Sequence, residues 1–355
     1  MTSARDPWLD NAKLALVTLV VIGHAWTLLP DNARDSHLYD FLYVWHVPAF
    51  VLVTGYLSKS FDYSPGRLWL LVRTVAVPYL IFECALALFR TYVGGERLQD
   101  LFADPHWPLW YLTALFCWRL LTPALRAIPA ALAVAAAVSV VLGAVAPTTL
   151  DLARVVGFLP FFAMGLLATP ERLALLPPPL ARILAVPVLA LIWLLTAHTD
   201  SFASTGWLYY RSTYADLGVG DLHGMVLRAC LLGLGAAGAL AFLALVPPIR
   251  TRLTGLGEMT LVVYLCHGFF VLGARYAGYE TWTAAHPLLG LLVTTAAAIG
   301  VVLLLAWQPV SRVLRHLVDP LGYAQRRVRH AVELTAVADQ VDDTDRQPVD
   351  SRLRG

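Results

Sequence analysis

Residues 8–26, WLDNAKLALVTLVVIGHAW, decide the reading of this chain: an apolar helical run with a cation near one end and a histidine near the other. Eleven helical steps of about 100° separate Lys13 from His24 and return them to nearly the same face, about 16 Å apart along the axis. The run is long enough to cross hydrocarbon, where an unsatisfied polar group costs several kcal/mol, so the imidazole needs a partner or a task. No A-x-A-type cleavage site follows, and the stretch is expected to stay as the first transmembrane helix.

The same character continues outward. Of 355 residues, 58% are hydrophobic and 14% charged, and the mean hydropathy is +0.65, a balance found in integral membrane proteins and not in soluble domains. About ten stretches reach spanning length, near residues 12–30, 39–58, 74–93, 107–123, 129–147, 153–169, 181–198, 223–246, 256–275 and 287–308. The expected fold is all-α, a polytopic membrane protein with about ten transmembrane helices and both termini cytoplasmic. Cations set that orientation. Arg5, Lys13, Lys59, Arg67, Arg73, Arg119 and Arg126 lead the larger inner set, and Arg34, Arg90, Arg97, Arg154, Arg211, Arg228 and Arg275 make the smaller outer one. The formal charge of +2 is too mild to argue for nucleic acid.

Residues 1–310 read as the membrane domain and 311–355 as a polar cytoplasmic tail. The tail is first basic, suited to anionic headgroups, and then acidic through Asp339, Asp342, Asp343 and Asp345, with too little apolar surface to offset the entropy of ordering. Cys84, Cys117, Cys230 and Cys266 sit in apolar runs without CxxC spacing, so neither disulfides nor structural zinc are expected. One outer loop, residues 199–221, carries Trp207, Tyr209, Tyr210 and Tyr214. Anchoring at the membrane border is the favoured reading over a carbohydrate-stacking surface.

Two further histidines share the apolar setting. His46 lies in FLYVWHVPAFVLVTGY, where Pro48 frees a backbone carbonyl and Gly55 permits close helix approach; His267 lies in VVYLCHGFF. Three imidazoles on separate spans point to convergence on a polar cavity, and their lack of short-range ligand spacing argues against a metal. Glu83, in VPYLIFE, is the carboxylate deep in a span; it either stays protonated or orients a histidine and stabilises its imidazolium. The register of Lys13 with His24 suits a long ligand with phosphates at one end. Coenzyme A has that shape, with its phosphates near Lys13, Arg67 and Arg73 and its acyl thioester towards His24. Asp10 would hold Lys13 through an i,i+3 pair. Walker, H-E-x-x-H and G-x-S-x-G motifs are missing, which leaves histidine-based acyl transfer as the better chemical fit. A proton-coupled transporter or exporter using the same histidines and Glu83 is the alternative.

Several motifs, taken in order, resemble the acyltransferase-3 family of multipass membrane O-acyltransferases, especially its fucose 4-O-acetylase-like branch. WLDNAKLALVTLVVIGH resembles the first-span signature of a basic residue, ten others and a histidine; WHVPAFVLVTGYLSKS resembles the second-span region; WPLWYLTALF, VGFLPFFAMGLL and TLVVYLCHGFF resemble later landmarks. The resemblance covers nearly all of residues 8–308. It implies a ten-helix enzyme that moves an acyl group, usually acetyl, from cytoplasmic acyl-CoA to a hydroxyl of a glycan, lipid-linked sugar or small molecule. His24 would be the central catalytic residue, as general base or transient acyl carrier, with His46 and His267 positioning substrate or relaying protons. Trp110 and Tyr111 would border the acceptor entrance. The chain departs from the pattern in having Arg67 and Arg73 in place of a compact R-x-x-R, and in showing no C-terminal SGNH-type domain. Transfer is therefore expected to finish in the membrane domain or on a separate protein.

Overall fold

Asp6 starts the first helix, its carboxylate accepting the Trp8 N–H at 2.9 Å while Pro7 supplies a preset first turn. The computed structural model describes residues 6–30, 37–98, 103–145, 149–199, 203–328 and 332–333. Arg5, Arg34, Arg329 and the acidic stretch from Asp339 onward lie outside the described residues. Helix α1 is Pro7–Ala25 and α2 is His37–Leu57. Pro65–Tyr92 forms α3, with a π turn at Val72–Ala76. Helix α4 is Trp110–Ala127, α5 Ala131–Leu142, α6 Leu152–Gly157 and α7 Leu159–Leu167. Then follow α8 Pro179–Thr196, α9 Asp221–Leu245, α10 Thr260–Tyr276, α11 Tyr279–Ala285, α12 Pro287–Ala306 and α13 Gln308–Val318.

Seven of these helical segments are long and apolar enough to cross a membrane, or eight if the pair ending in α6 and α7, bent by 54°, is one span. That is fewer than the ten stretches marked on the sequence. Helix α4 is continuous but carries Arg119 and Arg126. Helix α5 has 12 residues, about 18 Å of rise against a hydrocarbon core of about 30 Å. Both still pack as passages through the bundle, which runs back and forth between two ends. One end is marked by Asp6, Lys13 and Arg315 around a shared cavity; the other by Arg90, Asp151, Arg154 and Arg211. The N-terminal helix and α13 thus meet at the same end.

Small residues and proline decide which helices touch. Pro48 lacks the N–H that would bond the Val44 carbonyl, and Gly235 of α9 backs against that freed oxygen, where an added Cβ would stand 3.0 Å away. Gly55 of α2 faces the Phe162 carbonyl while Gly165 of α7 faces the Leu52 carbonyl, so the two backbones meet through reciprocal glycines. Trp8 Nε1 donates to the Leu243 carbonyl at 3.1 Å, and Asn11 donates to the Pro247 and Ile249 carbonyls at 2.9 Å each, tying α1 to the end of α9.

The aromatic loop before α9 is not an interfacial belt. Trp207, Tyr210 and Tyr214 are 2%, 4% and 0% exposed. The loop folds inward because its polar groups find partners there. Thr205 donates to Asp40 at 2.8 Å, Tyr214 donates to the Val140 carbonyl at 2.5 Å, and the Arg228 guanidinium lies 4.5 Å over the Tyr210 ring. Neither border anchoring nor an open sugar-stacking face is available to rings so enclosed.

Candidate active site

Helix α1 brings His24 against His267 of α10. Their rings stack at 5.1 Å and 19°, with His24 Nδ1 2.8 Å from His267 Nε2. His267 Nδ1 faces only acceptors, the Tyr264 carbonyl at 2.6 Å and the Val263 carbonyl at 3.3 Å, so Nδ1 carries the proton. His267 Nε2 is then a lone-pair acceptor, and His24 must donate to it through Nδ1–H. His24 Nε2 is left with a free lone pair, the form required of a base or nucleophile.

His46 does not join this hydrogen bond. Its Nδ1 donates to the Leu42 carbonyl at 2.8 Å and its ring stands edge-on to Tyr43 at 4.7 Å. The aromatic wall of the pair is Trp107, 4.4 Å from the His24 ring. Sequence reading placed Trp107 inside a landmark motif without giving it a role; its signal was an aromatic residue beside Pro108 at a helix entrance.

Glu83 is fully buried and does orient a histidine, but not one of the three in the spans. Both carboxylate oxygens accept the His106 backbone N–H at 3.1 Å, and the His106 Nδ1–H bonds the same carboxylate. His106 was passed over because it lies in a loop before Trp107, outside any apolar run. Tyr264, next to the histidine pair, donates to the Pro108 carbonyl on the other flank. The 103–109 segment is thereby tied to both α3 and α10.

Two cavities come near the pair through its neighbours Tyr264 and Trp107, while His267 itself borders an apolar cleft with Val21, Ala25 and Phe270. The one at the Lys13 end, about 300 Å³, has mainly apolar walls with Lys13 and Arg119 as its cations and Thr54, Tyr111 and Tyr264 among its lining. Tyr264 stands 5.9 Å from the His267 ring. The cavity at the other end, about 280 Å³, is polar and is lined by Arg90, Asp104, His106, Trp107, Arg154 and Arg211, among others. Arg154 pairs with Asp151 at 3.0 Å and Arg211 with Asp104 at 3.0 Å.

The remaining expected site residues scatter. Lys13 pairs with Asp10 at 2.7 Å, as the i,i+3 spacing predicts. Arg67 is exposed and lines neither of these cavities. Arg73 is engaged elsewhere, 3.2 Å from Asp319 and donating to Gln325 at 3.0 Å, because the segment after α13 folds back on α3. The cation that joins Lys13 in its cavity is instead Arg119, which the sequence assigns only to topology. Tyr111 bonds Thr54 and lines the Lys13 cavity, so it does not border an entrance at the opposite end. Trp110 stacks on Phe158 at 5.5 Å beneath the Arg154 guanidinium, 5.0 Å away, and supports the polar cavity from behind. Among the described residues, no group of three or more His, Cys, Asp or Glu could hold a metal ion.

Curated relatives match part of the chain. The Nodulation protein NolL of Mesorhizobium japonicum is 28% identical over 184 residues, 47% of this chain and 48% of the relative; that of Sinorhizobium fredii is 29% identical over 180 residues, 46% and 48%. The chain spans about half the length of the curated relatives it matches. No solved structure matches it. A family model described as an acyltransferase domain matches residues 6–307, a range that holds every helix around the histidine pair. By that match this multipass membrane protein belongs to the acyltransferase-3 family.

Proposed function

We propose that the protein is a membrane-embedded O-acyltransferase of the cell membrane with both termini cytoplasmic. It takes an acyl group, acetyl in the first instance, from acyl-CoA at the Lys13 end and passes it to a hydroxyl of a glycan, lipid-linked sugar or small molecule held at the opposite end. The observation that carries this reading is the lone pair on Nε2 of His24, set by the hydrogen bond to His267, with Tyr264 beside the pair lining the cavity that holds Lys13 and Arg119, and Trp107 against His24 lining the polar cavity. Family membership supports the reaction class.

In this reading Lys13 meets donor phosphates, and the apolar walls beyond it accommodate the pantetheine arm. Arg67 and Arg73 stand outside the cavity, so any phosphate contact they make lies beyond its mouth. His267 fixes the His24 tautomer, and His46 positions substrate or relays protons. His24 then acts as base on the acceptor hydroxyl or as transient acyl carrier. Residues 1–310 form the catalytic domain, and the segment from 311 is an accessory on its cytoplasmic face.

The test is to reconstitute the purified protein in vesicles with radiolabelled acetyl-CoA and membrane extract from its host. Label should enter a lipid or glycan fraction with the wild type, and His24→Ala should lose roughly 100-fold or more, the scale of a positioned acid–base group. A folded, active His24→Ala protein removes the assignment. Solute flux without thioester consumption would point to a transporter instead.

A further inference from the structure

A carboxylate with no exposure in the interior of a membrane bundle is expensive unless every lone pair finds a donor. Glu83 draws two donors from His106, the backbone N–H shared between both carboxylate oxygens and the side-chain Nδ1–H. Because a carboxylate accepts, the proton on the imidazole sits at Nδ1 and Nε2 carries the lone pair. His106 is only 5% exposed, yet it lines the polar cavity beside Asp104, Arg154 and Arg211. Among the described residues Nε2 has no hydrogen-bond partner. The next residue, Trp107, lines the same cavity and packs on His24.

We propose that His106, supported by Glu83, is a second acid–base group of this protein and takes the proton of the acceptor hydroxyl in the polar cavity. The inference rests on the acyltransferase reading and takes its acyl-carrier branch: His24 with His267 receives the acyl group at the donor end, and His106 with Glu83 takes the hydroxyl proton at the acceptor end. The acceptor O–H bond breaks and its proton goes to His106 Nε2. The oxygen lone pair forms the new C–O bond to the acyl carbon. The bond from that carbon to the His24 nitrogen, formed earlier as the thioester sulfur left with its electron pair, breaks and its electron pair stays with that nitrogen. The imidazolium beside Glu83 returns the proton to the cavity, and the thiolate takes one up. In net terms an alcohol and a thioester become an ester and a thiol.

The His106 backbone N–H to Glu83 and the Tyr264 hydroxyl on the Pro108 carbonyl already anchor the 103–109 loop, and any residue but proline at 106 would supply the first. A carboxylate-held imidazole opening to the cavity exceeds that need.

The experiment follows thiol release from acetyl-CoA in proteoliposomes with two kinds of nucleophile. Water or a methyl hexoside must lose an O–H proton as it attacks; hydroxylamine attacks through its free nitrogen and needs no such base. His106→Gln keeps the backbone tie to Glu83. It should lose roughly 100-fold in release driven by the hydroxyl acceptors while keeping hydroxylamine-driven release above the uncatalysed background. Glu83→Gln should show the same split at smaller size, and both variants should elute as the wild type does in detergent. Equal loss with both nucleophiles, or no loss with either, overturns the proposal. If the wild type releases no thiol with any nucleophile, the acyltransferase reading itself fails and this inference goes with it; wild-type release that is unaffected by His106→Gln removes the inference alone.

Discussion

Replacing His267 with alanine removes the acceptor that fixes the His24 tautomer, and the structure sets the size of the loss. The bond is 2.8 Å long between imidazoles that are 9% and 0% exposed. Stranding a buried donor costs about 1–3 kcal/mol. Charged against the reactive orientation of His24, and converted at about 1.4 kcal/mol per factor of ten, this predicts a fall in kcat of roughly 5- to 150-fold. KM for acetyl-CoA should hold, because His267 borders the apolar cleft between α1, α10 and α12 and is not among the residues lining the Lys13 cavity. His267→Gln offers an amide oxygen in place of the lost acceptor and should recover part of the rate. The assay is initial-rate thiol release in proteoliposomes, with kcat and KM separated and folding checked by thermal melting in detergent. A folded His267→Ala protein with wild-type kcat, or a loss confined to KM, would refute the tautomer argument.

Other perturbations follow from the same geometry. Gly165→Ala would press a methyl group on the Leu52 carbonyl and should lower stability by about 1–3 kcal/mol, read as a lower melting temperature; Gly300→Ala, with open space around its Cβ position inside α12, should not lower melting and should raise it slightly through helix propensity. Arg119→Gln should raise KM for acetyl-CoA by roughly tenfold, the scale of one charge-assisted hydrogen bond to phosphate, while acetyl-pantetheine, which lacks the nucleotide phosphates, should bind as before. Arg73→Gln should leave both KM values alone, since its guanidinium already serves Asp319 and Gln325.

Much of the fold was readable along the chain because apolar length and helical period are local properties. The Lys13–His24 register, the Lys13–Asp10 pair, the carbonyl freed by Pro48 and the close approach at Gly55 all follow from spacing on one helix. Span counting succeeded for the long helices; twelve-residue α5 and α4 with its arginines fall short of a spanning helix by length or apolarity and still pack in the bundle. The aromatic loop was misread for a different reason. Trp207 and Tyr214 have the composition of a membrane border, but composition does not reveal that Asp40 waits inside for Thr205, and Val140 and Arg228 for Tyr214.

The sequence alone determined an all-helical membrane protein, the candidate histidines and the family they resemble. Only the tertiary structure decided which of those groups meet. His24 and His267 are 243 positions apart, and their contact depends on α1 and α10 becoming neighbours. Glu83 reaches across a loop to His106, and Asp319 and Gln325 occupy Arg73 after the chain has crossed the bundle again. Helical periodicity places a side chain on a face of its own helix. Which face of which other helix lies opposite is set by where backbones can approach, through glycines, a proline and buried polar groups that must all find partners at once.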